Sequence, residues 1–228
     1  MLEPCWWSGY HGAMTQAVIF DMDGVLCDSE PFICEAAVAM FRLRHGVTVT
    51  AADFHPFTGM GEDRFLGGVA EKAGVSLDIE ADKRFTYTRY LELIRGRLQP
   101  LHGTAAFIGA CRARGLRLAV ASSADRMKVA GNLEQLGLAH GTFDAVIDGS
   151  MVARKKPEPD IFLLAAEKIG VPPAACLVFE DAVSGIRAAR AAGMRAIGVR
   201  SSFDDAALRA AGACATVRDL AEAEPLIR

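Results

Sequence analysis

The second half of this 228-residue chain alternates short apolar segments with amphipathic ones, and this alternation restricts the fold more than any other feature. The apolar segments are rich in Val, Ile and Ala, which is typical of buried strands. The predicted strands are Arg117–Ala121, Phe143–Ile147, Cys176–Phe179, Arg195–Val199 and Ala215–Val217. The predicted helices are Thr104–Arg114, Arg126–Leu136, Pro159–Ile169, Val183–Ala192 and Asp204–Ala211. Such alternation predicts a parallel sheet with helices on both faces.

A further strand is predicted near the N-terminus, at Ala17–Phe20, and a block of helices separates it from the others. The predicted helices of this block are Pro31–His45, a short one from Thr50, Glu62–Ala73 and Glu80–Arg97. We therefore expect residues 14–29 and 99–228 to form a doubly wound, Rossmann-like α/β core. Residues 30–98 are expected to form an all-helical cap, inserted after the first strand as a lid. Residues 1–13 lack periodicity and the pattern of a signal peptide, so we expect a flexible tail.

Composition argues against several classes of protein. Charged residues make up 23% of the chain, the formal net charge is −3, and no Lys/Arg cluster suggests binding to nucleic acid. No apolar run approaches the roughly 20 residues of a membrane-spanning helix. The six cysteines are scattered without a CxxC pair, which argues against a zinc site or a disulfide framework. Reduced thiols in a reducing intracellular compartment are therefore expected. No sequence feature indicates the oligomeric state.

Polar residues follow the predicted strands at several places, and one lysine precedes a predicted helix. These residues are Asp21, Asp23, Ser122, Ser123, Lys156, Glu180 and Asp181. Each has a simple alternative explanation, because Ser122 and Glu180 could cap helices and Lys156 could be a solvated loop charge. In a parallel sheet, however, the carboxyl ends of the strands meet at one edge, so we expect these side chains to converge on one crevice.

Carboxylates, a hydroxyl and an ammonium group at one crevice suit phosphoryl transfer through an aspartyl intermediate. One carboxylate attacks phosphorus while a second protonates the departing oxygen. Mg²⁺ offsets the repulsion between the attacking carboxylate and the phosphate, and Lys and Ser bind the remaining phosphate charge. The sequence therefore predicts a magnesium-dependent enzyme whose partner is a small phosphorylated metabolite.

The segments DMDGVLCDS, KKPEPDIF and FEDAVSGIRAA, in this order and spacing, resemble the haloacid dehalogenase (HAD) superfamily. The resemblance runs from about Gln16 to the end and is greatest to the subfamily with a helical cap after the first strand. That subfamily includes β-phosphoglucomutase and phosphoglycolate-type phosphatases. The segments FLGGVA and AVASSADRMKV also resemble HAD domains of plant chloroplast proteins. The expected compartment is therefore the cytoplasm or the chloroplast stroma.

The resemblance implies a role for each candidate residue. Asp21 is expected to be the nucleophile and a metal ligand, and Asp23 the general acid and base whose backbone carbonyl also binds the metal. Asp181 is a further expected metal ligand, with Glu180 close to the same ion. The expected phosphate-binding residues are Gly24, Ser122, Ser123 and Lys156. The expected specificity residues in the cap are Met60, Gly61, Glu62 and Arg64.

Three functions remain open at this stage. The second aspartate, Asp23, argues against a true dehalogenase, which lacks it and needs no metal. A sugar phosphomutase of the β-phosphoglucomutase type is disfavoured, because Glu62 stands where the mutase has an arginine for the second phosphate. Ile33 stands near the place of the mutase histidine and cannot exchange protons. Besides a phosphatase and a mutase, the chain could be a HAD domain kept as a binding or regulatory module. We expect a phosphatase of the phosphoric monoester hydrolase class.

Overall fold

The computed structural model of this protein describes residues 14–57, 61–138 and 141–227. The predicted tail, residues 1–13, and Met60 lie outside the described residues. The strands are β1 (Ala17–Phe20), β2 (Arg117–Ala121), β3 (Ala145–Ile147), β4 (Cys176–Glu180), β5 (Arg195–Val199) and β6 (Ala215–Val217). The helices are α1 (Glu30–His45), α2 (Ala51–Phe54), α3 (Glu62–Ala73), α4 (Ile79–Ile94), α5 (Thr104–Ala113), α6 (Arg126–Gln135), α7 (Asp160–Ile169), α8 (Val183–Ala191) and α9 (Asp205–Ala210).

The six strands form one parallel sheet in the order β3-β2-β1-β4-β5-β6. Strand β1 lies in the middle of the sheet, with Phe20 opposite Val120 of β2 and Phe179 of β4. The chain order along the sheet reverses at β1, and ligands bind at such a point, beyond the carboxyl ends of the strands. The prediction of a Rossmann-like α/β fold is confirmed.

Apolar side chains fill both faces of the sheet, as expected for parallel strands covered by helices. Alternate residues of each strand point to opposite faces, so Val18 and Phe20 pack on one side and Ala17 and Ile19 on the other. The ring of Phe20 stacks on that of Phe179 at 5.9 Å between centroids. This packing holds β1 rigidly, and with it the residues that follow.

Helices α1 to α4 lie between β1 and α5 in the chain, and the described residues among them contain no strand. The chain leaves the core and returns to it at neighbouring positions. The two crossing segments are joined by a hydrogen bond, in which the backbone N–H of Leu101 donates to the carbonyl of Leu26 at 2.9 Å. Helix α1 packs along α4, and α4 also contacts α6 of the core. The assignment of residues 30–98 as a cap domain stays a prediction.

Several element ends differ from the sequence prediction. Helix α4 ends at Ile94 instead of Arg97, because the backbone leaves the helical conformation at Arg95, with ψ 115°, and Gly96 continues the turn at φ 68°. Strand β3 begins two residues later than Phe143. The carboxylate of Asp144 accepts the backbone N–H of Leu118 at 2.8 Å, so a side chain takes the place of a backbone acceptor at the start of the ladder.

None of the helices in the described part of the chain is long and apolar enough to cross a bilayer. The cysteines within this part are free thiols. Cys5 lies outside the described residues.

Candidate active site

Asp21 lies directly after β1, at the carboxyl edge of the sheet, and its side chain is buried. The backbone N–H of Asp21 donates to the carbonyl of Phe179 at 2.9 Å, so strand pairing fixes the residue up to its Cα atom. Because β2 and β4 flank β1, the chain segments that follow both strands lie beside Asp21. Ser122 follows β2 and Glu180 ends β4. The structure therefore brings together the residues that the sequence placed after three strands.

Lys156 reaches into this edge of the sheet from the loop before α7. Its Nζ atom lies 2.5 Å from Oδ1 of Asp21, 2.7 Å from Oε1 of Glu180 and 3.2 Å from the carbonyl oxygen of Ala121. Only 3% of its side chain is exposed. A buried lysine with two carboxylate partners is not a solvated loop charge, so that simple alternative does not hold.

The site carries more negative charge than Lys156 can balance. Burial raises the pKa of Asp21 from 3.8 to about 7, although the charge of Lys156 acts in the opposite direction. Burial, together with the nearby charges of Glu180 and Asp21, also raises the pKa of Asp181 well above its usual range. Neighbouring carboxylates in a buried site favour a bound cation, which would stabilise their ionised forms.

The donor set fits Mg²⁺, which takes oxygen ligands and binds proteins through one or two carboxylates, substrate phosphate and water. Asp21 and Asp181 are the two carboxylates that suit this role. The described residues contain no group of three or more Cys, His, Asp or Glu side chains that would cage a metal ion unaided.

Glu180 does not fit the predicted metal role as well as Asp181. Its Oε1 atom accepts from Lys156, and its Oε2 atom accepts the backbone N–H of Ala182 at 2.7 Å. Both oxygens are thus engaged by protein donors. Consecutive residues at a strand end point in opposite directions, so only one of two adjacent carboxylates faces a given ion. Glu180 is therefore a partner of Lys156, and Asp181 is the one of the two that could hold a metal ion.

Gly24 lies against the carboxylate of Asp181. A Cβ atom at Gly24 would lie 2.0 Å from Oδ2 of Asp181, and the backbone of Gly24 adopts φ 75°. The hydroxyl groups of Ser202 and Ser201 donate to this same Oδ2 atom of Asp181. A glycine is therefore required at position 24 both for its conformation and for this close approach.

Ser122 and Ser123 line the same cavity as Asp21. Ser122 is buried, and its Oγ atom accepts the backbone N–H of Ala124 at 3.1 Å. The bond fixes the turn after β2, while helix α6 begins only at Arg126 with Asp125 as its N-cap residue. Ser122 is therefore not the N-cap of α6.

Asp23 has two partners, neither of which sequence reasoning identified. The hydroxyl of Ser29 donates to its Oδ1 atom, and Nζ of Lys128 lies 2.9 Å from its Oδ2 atom. The sequence contained one signal for Lys128. This residue falls on the face of α6 that also carries Val129 and Leu133, where an apolar residue is the norm. Its partner Asp23 lies far away in the chain, so the sequence did not connect the two.

The segment that contains helices α1 to α4 is called the helical segment below. Its predicted specificity residues fall into two groups. Gly61 and Glu62 line the cavity, and Oε1 of Glu62 lies 3.7 Å from Nζ of Lys128. Arg64 does not line the cavity. Its guanidinium group binds Glu71 at 2.8 Å and lies over the ring of Phe57. Residues two apart on a helix point to nearly opposite sides, so the inward position of Glu62 turns Arg64 outward.

The cavity has a volume of about 240 Å³, which suits a small metabolite. Seven carboxyl side chains line it, and the only ammonium groups among its described lining residues are those of Lys128 and Lys156. The carboxyl side chains are those of Asp21, Asp23, Asp28, Glu30, Glu62, Glu180 and Asp181. Apolar residues cover the wall nearest the helical segment. These are Ile33, Phe57 and Phe65.

Comparison with protein families gives a match over residues 15–193 to the haloacid dehalogenase-like hydrolase model. The chain is 45% identical over 203 residues to Protein SUPPRESSOR OF QUENCHING 1, chloroplastic, of Arabidopsis thaliana. That match covers 86% of this chain but only 19% of the plant protein, so the chain spans about a fifth of that relative's length.

Two further proteins match over nearly their whole lengths. The Phosphorylated carbohydrates phosphatase of Thermotoga maritima is 33% identical over 205 residues, covering 89% of this chain and 94% of that protein. The crystal structure of CbbY from Rhodobacter sphaeroides in complex with phosphate superposes with a TM-score of 0.83 at 28% identity. It covers 92% of this chain and 96% of that one. The predicted resemblance to HAD phosphatases, and to a plant chloroplast protein, is confirmed.

Proposed function

Because this chain belongs to the haloacid dehalogenase-like hydrolase family, we propose that it is a Mg²⁺-dependent phosphatase of small phosphorylated metabolites, with Asp21 as its nucleophile. One observation carries the proposal. Lys156 bridges Asp21 and Glu180 inside a buried site that opens into a small cavity. A nucleophilic carboxylate needs such a cation, because its target carries negative charge itself.

The first step transfers the phosphoryl group to the protein. A carboxylate oxygen of Asp21 attacks phosphorus, and the bond between phosphorus and the ester oxygen breaks. Asp23 gives its proton to that oxygen, which leaves as an alcohol. Lys156 holds Asp21 in place and stabilises charge on the phosphoryl oxygens, together with Ser122. The products of this step are the free alcohol and a phosphoaspartate at Asp21.

The second step removes the phosphoryl group. Asp23, now a carboxylate, takes a proton from a water molecule that attacks phosphorus, and the bond to the Asp21 oxygen breaks. Inorganic phosphate leaves and Asp21 returns to its free form. At the end of the cycle Asp23 is protonated again, as it was at the start. This is required of a single residue that acts first as the acid and then as the base.

Asp21, Asp181 and the backbone carbonyl of Asp23 are the groups of this chain that would hold Mg²⁺. When bound, the ion neutralises part of the charge on the phosphate and on the attacking carboxylate. Ser201 and Ser202 fix the carboxylate of Asp181 for this purpose. Gly24 permits its close approach.

The charge of the cavity supports a substrate whose alcohol part is neutral or positively charged. Both ammonium groups at the cavity already have carboxylate partners, Lys156 in Asp21 and Glu180, and Lys128 in Asp23. A second phosphate or a carboxylate on the substrate would therefore meet Glu62, and none of the described residues that line the cavity offers it an unpaired cation. Phosphates of polyols, sugars or amino alcohols fit this environment. The name of the Thermotoga maritima relative, a phosphatase of phosphorylated carbohydrates, is in line with this class.

A phosphomutase is less well supported by the cavity. It has to bind a bisphosphate intermediate, and Glu62 would repel the second phosphate. Ile33 lines the cavity and has no proton to exchange. Arg64, the basic residue nearest to Glu62 in the chain, points away from the cavity and binds Glu71.

The experiment is phosphate release from a panel of phosphorylated metabolites, with and without Mg²⁺, with Asp21→Asn as the control. The panel contains sugar and polyol phosphates, phosphoglycolate and nucleoside monophosphates, and β-glucose 1-phosphate is also assayed for isomerisation. Metal-dependent release that Asp21→Asn abolishes is the expected result. Isomerisation without release would favour the mutase, and Mg²⁺ binding without any turnover would favour a binding module.

We propose a reducing compartment, the cytoplasm or the chloroplast stroma. The free thiols of the described residues and the chloroplast relative support this assignment.

A further inference from the structure

Lys128 is a buried lysine that the reaction described above does not use. It lies on α6 with only 4% of its side chain exposed. Its ammonium group lies 2.9 Å from Oδ2 of Asp23, 3.7 Å from Oε1 of Glu62, and 5.9 Å from the centre of the Tyr90 ring. Burial alone would lower the pKa of Lys128, but the charges of Asp23 and Glu62 raise it well above the usual range.

Stability is a weak explanation for this cluster. Removing charged groups from water carries a large desolvation cost, so an apolar side chain at position 128 would serve the fold about as well as a buried ion pair. The buried face of α6 also contains Val129 and Leu133, which pack in the core, and Asn132, which is uncharged and accepts from the hydroxyl of Tyr90. The reason for a buried lysine at position 128 is therefore to be sought in its effect on Asp23.

Asp21 and Asp23, the two aspartates assigned to the chemical steps, each have a lysine partner. Lys156 binds Asp21, and Lys128 binds Asp23. The two carboxylate oxygens of Asp23 are held separately, Oδ1 by the hydroxyl of Ser29 and Oδ2 by Lys128. Two donors on opposite oxygens fix the torsion of the carboxyl group, which a single donor would leave free to rotate.

We propose that Lys128 positions Asp23 for proton transfer to and from the ester oxygen and water, and that Glu62 fixes Lys128 from the helical segment. This inference rests on the proposed phosphatase function and adds a residue to it. Glu62 belongs to α3, whereas Lys128 belongs to α6 of the core. The contact between them therefore links the packing of the helical segment on the core to the position of the acid and base group.

The test depends on the leaving group of the substrate. An alkyl phosphate needs a proton on its departing oxygen, whereas 4-nitrophenyl phosphate releases a stable anion and needs none. The value of kcat/KM reports the steps up to departure of the leaving group. A defect in proton donation by Asp23 must therefore lower kcat/KM for the alkyl phosphate more than for 4-nitrophenyl phosphate.

The variants are Lys128→Met, which keeps the length of the side chain without its charge, and Lys128→Arg, which keeps the charge. Lys168→Met, on an exposed face of α7, is the matched control. For the fastest alkyl phosphate of the panel we expect Lys128→Met to lose about 100-fold in kcat/KM, with a loss below about 5-fold for 4-nitrophenyl phosphate. We expect Lys128→Arg to restore part of the loss. The kcat values of Lys128→Met should fall for both substrates, because release of phosphate from Asp21 also needs Asp23.

A Glu62→Gln variant keeps the inference testable if Lys128→Met does not fold, since it leaves Lys128 in place. We expect it to show the same selective loss for the alkyl phosphate, at about 10-fold. Equal loss of kcat/KM for both substrates, or unchanged kinetics, in the folded variants would overturn the role of Lys128. No turnover of either substrate by the unaltered protein would instead overturn the proposed phosphatase function, and this inference with it.

Discussion

Nζ of Lys156 lies 2.5 Å from Oδ1 of Asp21, although the two residues are 135 positions apart in the chain. The parallel order of β2, β1 and β4 brings them together, because it places the end of each strand at one edge of the sheet. Lys156 reaches this edge from the loop before α7. Asp21 is the carboxylate that we propose attacks phosphorus, and Lys156 is the cation that we propose holds it in place.

Replacing Lys156 tests this pair. We expect Lys156→Met to lower kcat by about 100-fold or more, because it removes the cation that offsets charge on Asp21 and on the phosphoryl group. Lys155→Met is the matched control, since Nζ of Lys155 donates to the backbone carbonyl of Gly149. We expect its kcat to stay within about 3-fold of the unaltered protein. Similar losses in both variants would contradict the assignment.

The raised pKa of Asp21 predicts how pH and Mg²⁺ affect stability. Its folded pKa of about 7 exceeds the ordinary 3.8, so without metal the protonated form is favoured in the fold. The resulting contribution to stability is fully present below about pH 4 and is lost as the pH rises towards 7. Mg²⁺ needs the ionised carboxylates, so its stabilising effect should grow over the same interval.

Thermal unfolding with Mg²⁺ or EDTA checks this expectation. At roughly 100 times its Kd we expect Mg²⁺ to raise Tm by about 5 °C or more at pH 8, and by clearly less at pH 5.5. Asp181→Asn should reduce the increase at pH 8. The same increase at both pH values would argue against Mg²⁺ binding through Asp21 and Asp181.

The close contact between Gly24 and Asp181 makes Gly24→Ala a sharp test of the metal site. The new methyl group would displace the Asp181 carboxylate, and a side chain at φ 75° strains the backbone. We expect the variant to be destabilised by about 1–3 kcal/mol and to bind Mg²⁺ at least about 10-fold more weakly.

Gly67→Ala is the control for that substitution. Gly67 lies inside α3, and a Cβ atom there would meet nothing within 4 Å. We expect this variant to gain about 0.5–1 kcal/mol in the free energy of unfolding and to bind Mg²⁺ normally. Urea unfolding and titration calorimetry measure both quantities. Normal Mg²⁺ affinity in Gly24→Ala would contradict the role assigned to Asp181.

The negative charge of Glu62 predicts substrate preference. We expect Glu62→Gln to raise the kcat/KM ratio of phosphoglycolate to a polyol phosphate by about 10-fold, because it removes a buried charge that repels a carboxylate on the substrate. Both substrates are alkyl phosphates, so any change in acid catalysis cancels in the ratio. Glu71→Gln, an exposed position on the same helix, should leave the ratio unchanged. An unchanged ratio in Glu62→Gln would remove Glu62 from the specificity site.

The sequence was sufficient to predict the core of the fold. Its strands are apolar runs that stop at polar residues, and its helices end at glycine, so both kinds of element can be recognised from neighbouring residues alone. Strands β1, β2, β5 and β6 have the predicted bounds. Strand β3 was overextended, since the pattern could not reveal that the carboxylate of Asp144 replaces a backbone acceptor.

The site was predicted where residues follow strands and was missed where a helix presents one. Lys128 lies on a helix 105 positions from Asp23, and only its place on an apolar face marked it. Arg64 was placed at the cavity although helical geometry turns it away once Glu62 faces inward. Glu180 and Asp181 are adjacent, and the sequence could not show that both carboxylate oxygens of Glu180 accept from protein donors.

The most direct measurement of the central claim is identification of the phosphorylated residue during turnover. The protein would be mixed with its fastest substrate and Mg²⁺, quenched in acid and digested, and the peptides examined by tandem mass spectrometry. We predict one phosphoryl group on Asp21, in a peptide that also contains Asp23, and no such group in Asp21→Asn. Phosphate release that continues in Asp21→Asn, or a phosphoryl group on a different residue, would contradict the mechanism.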